Sequence, residues 1–398
     1  SLLRNSSCNP LTYLLRRCEI AFFKRRYALS IRFLFGRPRL TVIVLMMAAL
    51  VPMALQGTLE VAAANQASSS AYQQTNLVSD MAGMAAFTDP HLINPWGVSE
   101  SSSGPFWVSD NVTGVSTLYN SQGQPQSLIV TIPPASGSGK GTPTGTVFNA
   151  TSGFVITQGS KSGPAQFLFD SLDGTISGWN SSVSPTSAVV AVNNSASAVY
   201  TGLALVSNSS GTFLYAANSL ISTQHPNGTI DVFNNKFAPT QLQGSFTDPT
   251  LPAGYSPYDI RLVKGMLLVT YSPSTPPKLG QGFVDVYKTN GVFVKRLISN
   301  GKLDAPWGLA LAPSSFGQFS NALLVGNVGN GLINAFNSST GAFLGTLKNT
   351  AGQPIQNSGL WSLTFGNGGM GGNLDTLYFA AGIGGYQHGL FGAITLVS

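Results

Sequence analysis

Gly114-Val-Ser-Thr-Leu-Tyr119-Asn120 returns along the chain as a spaced motif: a glycine, four residues, then an aromatic ring. Its copies are Gly174-Thr-Ile-Ser-Gly-Trp179-Asn180, Gly228-Thr-Ile-Asp-Val-Phe233-Asn234, Gly282-Phe-Val-Asp-Val-Tyr287 and Gly331-Leu-Ile-Asn-Ala-Phe336-Asn337. A sixth, Gly389-Leu-Phe-Gly-Ala-Ile394, carries Ile in place of the ring. The ring positions lie 60, 54, 54, 49 and 58 residues apart, the signature of a repeat architecture. Ahead of each copy runs a β-rich segment such as Phe106-Trp-Val-Ser-Asp110 or Phe213-Leu-Tyr-Ala-Ala-Asn218. Further upstream lies a third element, Pro95-Trp-Gly-Val98 in the first unit and Pro306-Trp-Gly-Leu309 in the fifth. Another apolar run follows each of the first five aromatics. Four strands in each of six units predict an all-β, six-bladed β-propeller with four-stranded antiparallel blades. Apolar residues at adjacent strand positions fit blades packed on both faces. The sixth unit is one strand short at its end, and Thr75-Asn-Leu-Val-Ser79 is predicted to supply it and close the ring.

The rest of the chain separates a leader from this body. Of 398 residues, 43% are hydrophobic and 9% charged, which excludes charge-driven disorder. Nine of the 20 basic residues precede Thr41; from Asn65 onward there are eleven bases against twelve acids. A body near neutrality is not built for polyanions, so no nucleic-acid partner is expected. The uncharged run from Leu40 to Leu55 is too short to cross a bilayer comfortably and contains Pro52. Basic residues before it and Ala62-Ala63-Ala64 after it follow a signal-peptide plan, with cleavage expected near Ala64. A retained anchor is the alternative and the single route to membrane contact. Either way the body is exported, as a secreted, periplasmic or cell-surface protein. The expected layout is a leader over 1–64, a tether over 65–74 and a monomeric propeller over 75–398. Cys8 and Cys18 both fall in the leader, so the body has neither disulfides nor thiolate metal sites.

Several motifs point to a family. Asn76-Leu-Val-Ser-Asp80, Asp89-Pro-His-Leu-Ile-Asn-Pro-Trp-Gly97, Phe106-Trp-Val-Ser-Asp-Asn111 and Asp173-Gly-Thr-Ile-Ser-Gly-Trp179 resemble an uncharacterised family of exported, mainly bacterial propeller proteins. That family is similar in turn to NHL-repeat six-bladed propellers. The resemblance covers nearly the whole body; it implies fold and export and carries no activity.

For chemistry, the body offers three histidines, His91, His225 and His388, far apart in sequence and outside any hydrolase, zinc or nucleotide motif. Polar residues at strand ends near the axis form the main candidate set: Asn94, Asp110, Asn111, Asp170, Asn218, Asp259 and Asn327. Their oxygens suit a hard cation such as Ca²⁺, with Asp259, Asn218 and Asn327 the expected ligands. Some propeller hydrolases and lactonases hold an axial metal with such residue types; turn capping is the competing role. Asp259 stands out because its slot holds Gly or Ser in the other five units, and a charge there needs a partner. Trp96, Tyr258, Trp307 and Trp361 occupy one equivalent position. They form either an aromatic rim for a flat ligand or packing between blades, and packing is favoured. Loops at Ser272–Pro277 and Gly366–Gly372 are candidate lids. Two functions fit: a binding or scaffold module for a carbohydrate, peptide or envelope partner, or a metal-assisted hydrolase or lyase. A structural protein, with its channel mouth plugged by side chains, is a third.

Overall fold

The computed structural model describes residues 70–397. The leader, both cysteines and residues 65–69 of the expected tether lie outside the described residues. Six small antiparallel sheets form the blades of a six-bladed β-propeller. Their inner strands are Pro95–Glu100, Pro143–Phe148, Tyr200–Asn208, Tyr255–Val263, Pro306–Leu311 and Leu360–Phe365. Each runs from what we call the entry mouth to the exit mouth, and the chain then meanders outward through the blade.

The repeat motif maps onto the turn into the third strand and the strand itself. Gly114 sits at φ +71 in that turn, a left-handed conformation that favours glycine. The ring positions Tyr119, Trp179, Phe233, Tyr287, Phe336 and Ile394 are all buried. Rings also fill the seams between blades: Trp107 stacks on Phe167 at 4.0 Å, and Phe106 meets Tyr378 at 4.4 Å.

Closure follows the sequence expectation, but the strand is longer. Ala71–Ser79 pairs antiparallel with Leu390–Val397 from Ala71↔Val397 to Ser79↔Leu390, so the first four of its residues belong to the sheet rather than to a tether. A short strand, Phe87–Thr88, adds a fifth, parallel edge to this sixth blade.

The third blade departs from the four-strand plan, because it has only Tyr200–Asn208, Gly211–Asn218 and Thr229–Asn234. The segment that follows contains Pro239 and Gly244 and makes a single isolated bridge, Phe233↔Pro239. Proline cannot donate to a ladder and glycine weakens one, so no paired fourth strand forms. The second blade instead carries an extra hairpin, Val155–Gln158 and Lys161–Pro164. Its Phe154 packs on Phe237 of the third blade at 5.2 Å.

Candidate functional site

Every inner strand carries one extra residue relative to its partner just after its start. The register breaks fall between Pro95 and Val98, Pro143 and Thr146, Tyr200 and Leu203, Pro257 and Asp259, Pro306 and Leu309, and Leu360 and Ser362. These are β-bulges, which re-aim a side chain out of the strand's two-residue alternation. The residues at the bulges are Trp96, Thr144, Thr201, Tyr258, Trp307 and Trp361.

Four of the six are aromatic, and their rings converge on the axis. Trp96 stacks on Trp361 with centroids 3.5 Å apart and meets Tyr258 edge-on at 6.4 Å. The first and fourth blades face each other across a six-membered ring, so those two side chains meet only at its centre. Trp307 closes the cluster at 6.3 Å from Trp96 and 6.2 Å from Trp361. The three tryptophans are buried. Trp361 Nε1 donates to Asn94 Oδ1 at 2.9 Å, and Trp307 Nε1 donates across the channel to the Thr201 carbonyl at 2.9 Å. On the entry side Tyr386, from the short helix Ile383–Tyr386, leans over Trp361 at 5.7 Å. These rings are therefore neither an open rim nor filling between blades: they plug the channel. The glycine after the bulge explains how the strands come so near the axis. A Cβ on Gly97 would lie 2.6 Å from the Thr144 carbonyl oxygen of the next blade.

The polar strand-end residues sit around this plug, each with a local partner. Asn94 holds Trp361, and Asn111 Nδ2 donates to the Pro143 carbonyl at 3.1 Å, tying two blades. The Asn218 amide accepts from Val199 N at 3.0 Å and donates to the Ser197 carbonyl at 3.2 Å. Asn327 Nδ2 donates to the Lys302 carbonyl at 2.8 Å. Asp110 accepts from Thr117 Oγ1 at 2.7 Å, and burial raises its pKa well above the carboxylate range. Asp170 accepts from Thr144 Oγ1 at 2.7 Å and Gly145 N at 2.5 Å; burial still pushes it up to about 6.

Asp110 and Asp170 each leave one buried oxygen unpaired, and Asp259 differs from them in having no hydroxyl donor. It is 2% exposed, its Oδ2 has no hydrogen-bond partner, and burial pushes it up to about 8 against the pull of Arg261. Arg261 attracts the charge, but among the described residues no ion pair or hydrogen bond joins the two, so the carboxyl is left without the partner a buried charge requires. Asn218 spends both ends of its amide on neighbouring groups, whereas Asn327 spends its Nδ2 and leaves its Oδ1 buried without a partner. Among the described residues no three His, Cys, Asp or Glu side chains group as a metal site. The carboxyl nearby that acts on Asp259 is Asp170, and two carboxyls are a poor match to the six to eight oxygens that Ca²⁺ takes.

Sequence reasoning missed the other end of the channel. Arg261 is the one basic residue in any inner strand, and Glu100 and Asp259 are the acids. That exclusivity was a readable signal. Arg261 reaches past the fifth blade and donates to the Leu363 carbonyl at 3.1 Å. Glu100 Oε1 accepts from Thr364 Oγ1 at 3.3 Å while its Oε2 is buried without a partner. Burial pushes Glu100 up to about 7 against the opposing pull of Arg261.

Also missed were two Asp–His pairs. His388 Nδ1 lies 2.7 Å from Asp80, and His91 Nδ1 lies 3.0 Å from Asp89. The two loops proposed as lids lie on opposite faces: one follows a second strand at the entry mouth, the other joins Leu360–Phe365 to Leu377–Ala381 at the exit.

One further concavity, of about 420 Å³, lies between the third and fourth blades on the exit face. Phe213, Leu242 and Met266 line it together with Ser210, Thr289 and Asn290. Asn208 Nδ2 bridges the two blades by donating to Thr289 Oγ1 at 3.2 Å.

Comparison with known proteins agrees with the fold. No family model matches the chain. A glucose dehydrogenase of known structure aligns at TM-score 0.50 over 82% of this chain and 100% of its own, at 12% identity, a likeness of fold alone. Two proteins of Acanthamoeba polyphaga mimivirus are nearer in sequence. Uncharacterized protein L690 is 31% identical over 303 residues, 72% of this chain and 77% of its own. Uncharacterized protein R648 is 31% identical over 301 residues, 72% of either chain. Identity sustained across most of the propeller on both sides makes this chain a member of the family that includes R648 and L690.

Proposed function

We propose that the protein is an exported binding propeller whose ligand is a carbohydrate, held outside the axis in the groove between the third and fourth blades. The plug of Trp96, Tyr258, Trp307 and Trp361 fills the place where an axial metal and its substrate would have to meet, as a purely structural protein would also require, so the groove and not the plug carries the binding reading. The groove has the chemistry a sugar needs. Uncharged hydroxyls and amides of Ser210, Thr289 and Asn290 face a floor that includes the Phe213 ring, and Lys288 is its one charged lining residue. Sugars present hydroxyl edges and apolar ring faces, which such a surface satisfies together.

Titration calorimetry of the purified body against a panel of soluble oligosaccharides tests the proposal. Binding of at least one glycan, weakened about tenfold or more by Phe213→Ala, is the expected result. A protein that binds no glycan, but retains stoichiometric Ca²⁺ after dialysis and loses it in Asp259→Ala, would establish the metal-assisted hydrolase or lyase reading instead.

A further inference from the structure

The exit mouth holds a second concavity, of about 310 Å³, formed by the ends of the fourth, fifth and sixth inner strands. Leu262, Leu309, Leu311 and Phe365 supply apolar walls. Arg261 and Lys264 are the charged residues lining it, and no acid does. Arg261 makes one hydrogen bond, to the Leu363 carbonyl, although a guanidinium carries five donors. Glu100 and Asp259 both feel its charge, but neither makes a hydrogen bond to it. Burial keeps Glu100 substantially protonated near neutral pH, so the cation is incompletely neutralised. Lys264 stands at the exposed rim, with Nζ donating to Ser338 Oγ at 3.0 Å. A mixed pocket, with apolar side chains on its walls and unspent guanidinium donors at its inner end, complements a molecule that is apolar at one end and anionic at the other.

We propose that this pocket binds a small amphipathic monocarboxylate, its carboxylate on Arg261 and its hydrocarbon against Leu262, Leu311 and Phe365. A planar guanidinium pairs a carboxylate through two parallel hydrogen bonds, which a lysine does not reproduce. Lys264 adds attraction at the rim. This site is separate from the carbohydrate groove, so either can fail without the other.

The test is calorimetric titration of the body with octanoate, alongside octanol and octylamine as neutral and cationic probes of equal chain length. Octanoate is expected to bind at least about tenfold more tightly than either, and Arg261→Met to remove that preference while Arg261→Lys restores part of it. Because Arg261→Met also strips Glu100 of its countercharge, Leu311→Trp serves as a second variant. It fills the pocket with Arg261 in place and is expected to abolish octanoate binding with the thermal midpoint retained. The proposal is overturned by octanol binding as tightly as octanoate, by octanoate affinity unchanged in Leu311→Trp, or by no binding up to about 10 mM.

Discussion

The two mouths of one channel are built from the same six strands and solve opposite problems. At the entry, a bulge in each inner strand aims a side chain at the axis, and four of those six are rings that seal it. At the exit the same strands bring a lone guanidinium and a buried carboxyl beside an apolar pocket. The entry mouth derives stability from packing, whereas the exit mouth keeps charge only partly matched. Residues at one end should therefore be expensive to remove and those at the other cheap.

The largest effect is expected from Trp361→Ala, which removes a buried ring stacked on Trp96 and a hydrogen bond to Asn94. Chemical denaturation should show a loss of about 3–5 kcal/mol. A loss below 1 kcal/mol, on the order of a surface change, would mean that the plug is not the keystone of the axis.

The middle of the channel should respond to pH. Folding raises the Asp259 pKa from 3.8 to about 8, so its contribution to stability is present below pH 4 and lost as pH climbs toward 8. Glu100 and Asp170 shift in the same direction. The thermal midpoint should therefore fall between pH 5 and pH 9, and Asp259→Asn should flatten that fall. At pH 9 the variant should be the more stable of the two. An unchanged slope would show that the carboxyl is solvated.

Within the plug, Trp96 Nε1 has no hydrogen-bond partner whereas Trp361 Nε1 has Asn94. Trp361→Phe should thus cost about 1 kcal/mol more than Trp96→Phe in paired denaturant melts, since it orphans a buried acceptor. Equal costs would assign the difference to volume alone. The smallest effect is expected at the exit rim, where Lys264→Ala should change stability by less than about 0.5 kcal/mol.

Sequence carried the architecture further than the site. Six copies of the Gly-to-aromatic motif and the strand-like Thr75–Ser79 were enough to read the ring and its closure, because buried period and turn glycines are local signals. Trp96, Tyr258, Trp307 and Trp361 were legible as equivalents, but their direction was not. A single inserted residue reverses the face a strand residue points to, and alternation alone does not reveal an insertion. The groove beside Phe213 was illegible for another reason: its Asn208 and Thr289 come from different blades and meet only once the blades have packed.

The closing pair, Ala71–Ser79 with Leu390–Val397, joins stretches more than 300 residues apart. A ribosome releases the earlier stretch first and the later one more than 300 residues afterwards. Throughout synthesis, then, an unpartnered strand with buried-type residues such as Leu77 and Val78 waits for its mate, open to stray pairing. Closure of the ring has to wait for that second stretch, and deleting it would leave a nearly finished wheel that cannot lock.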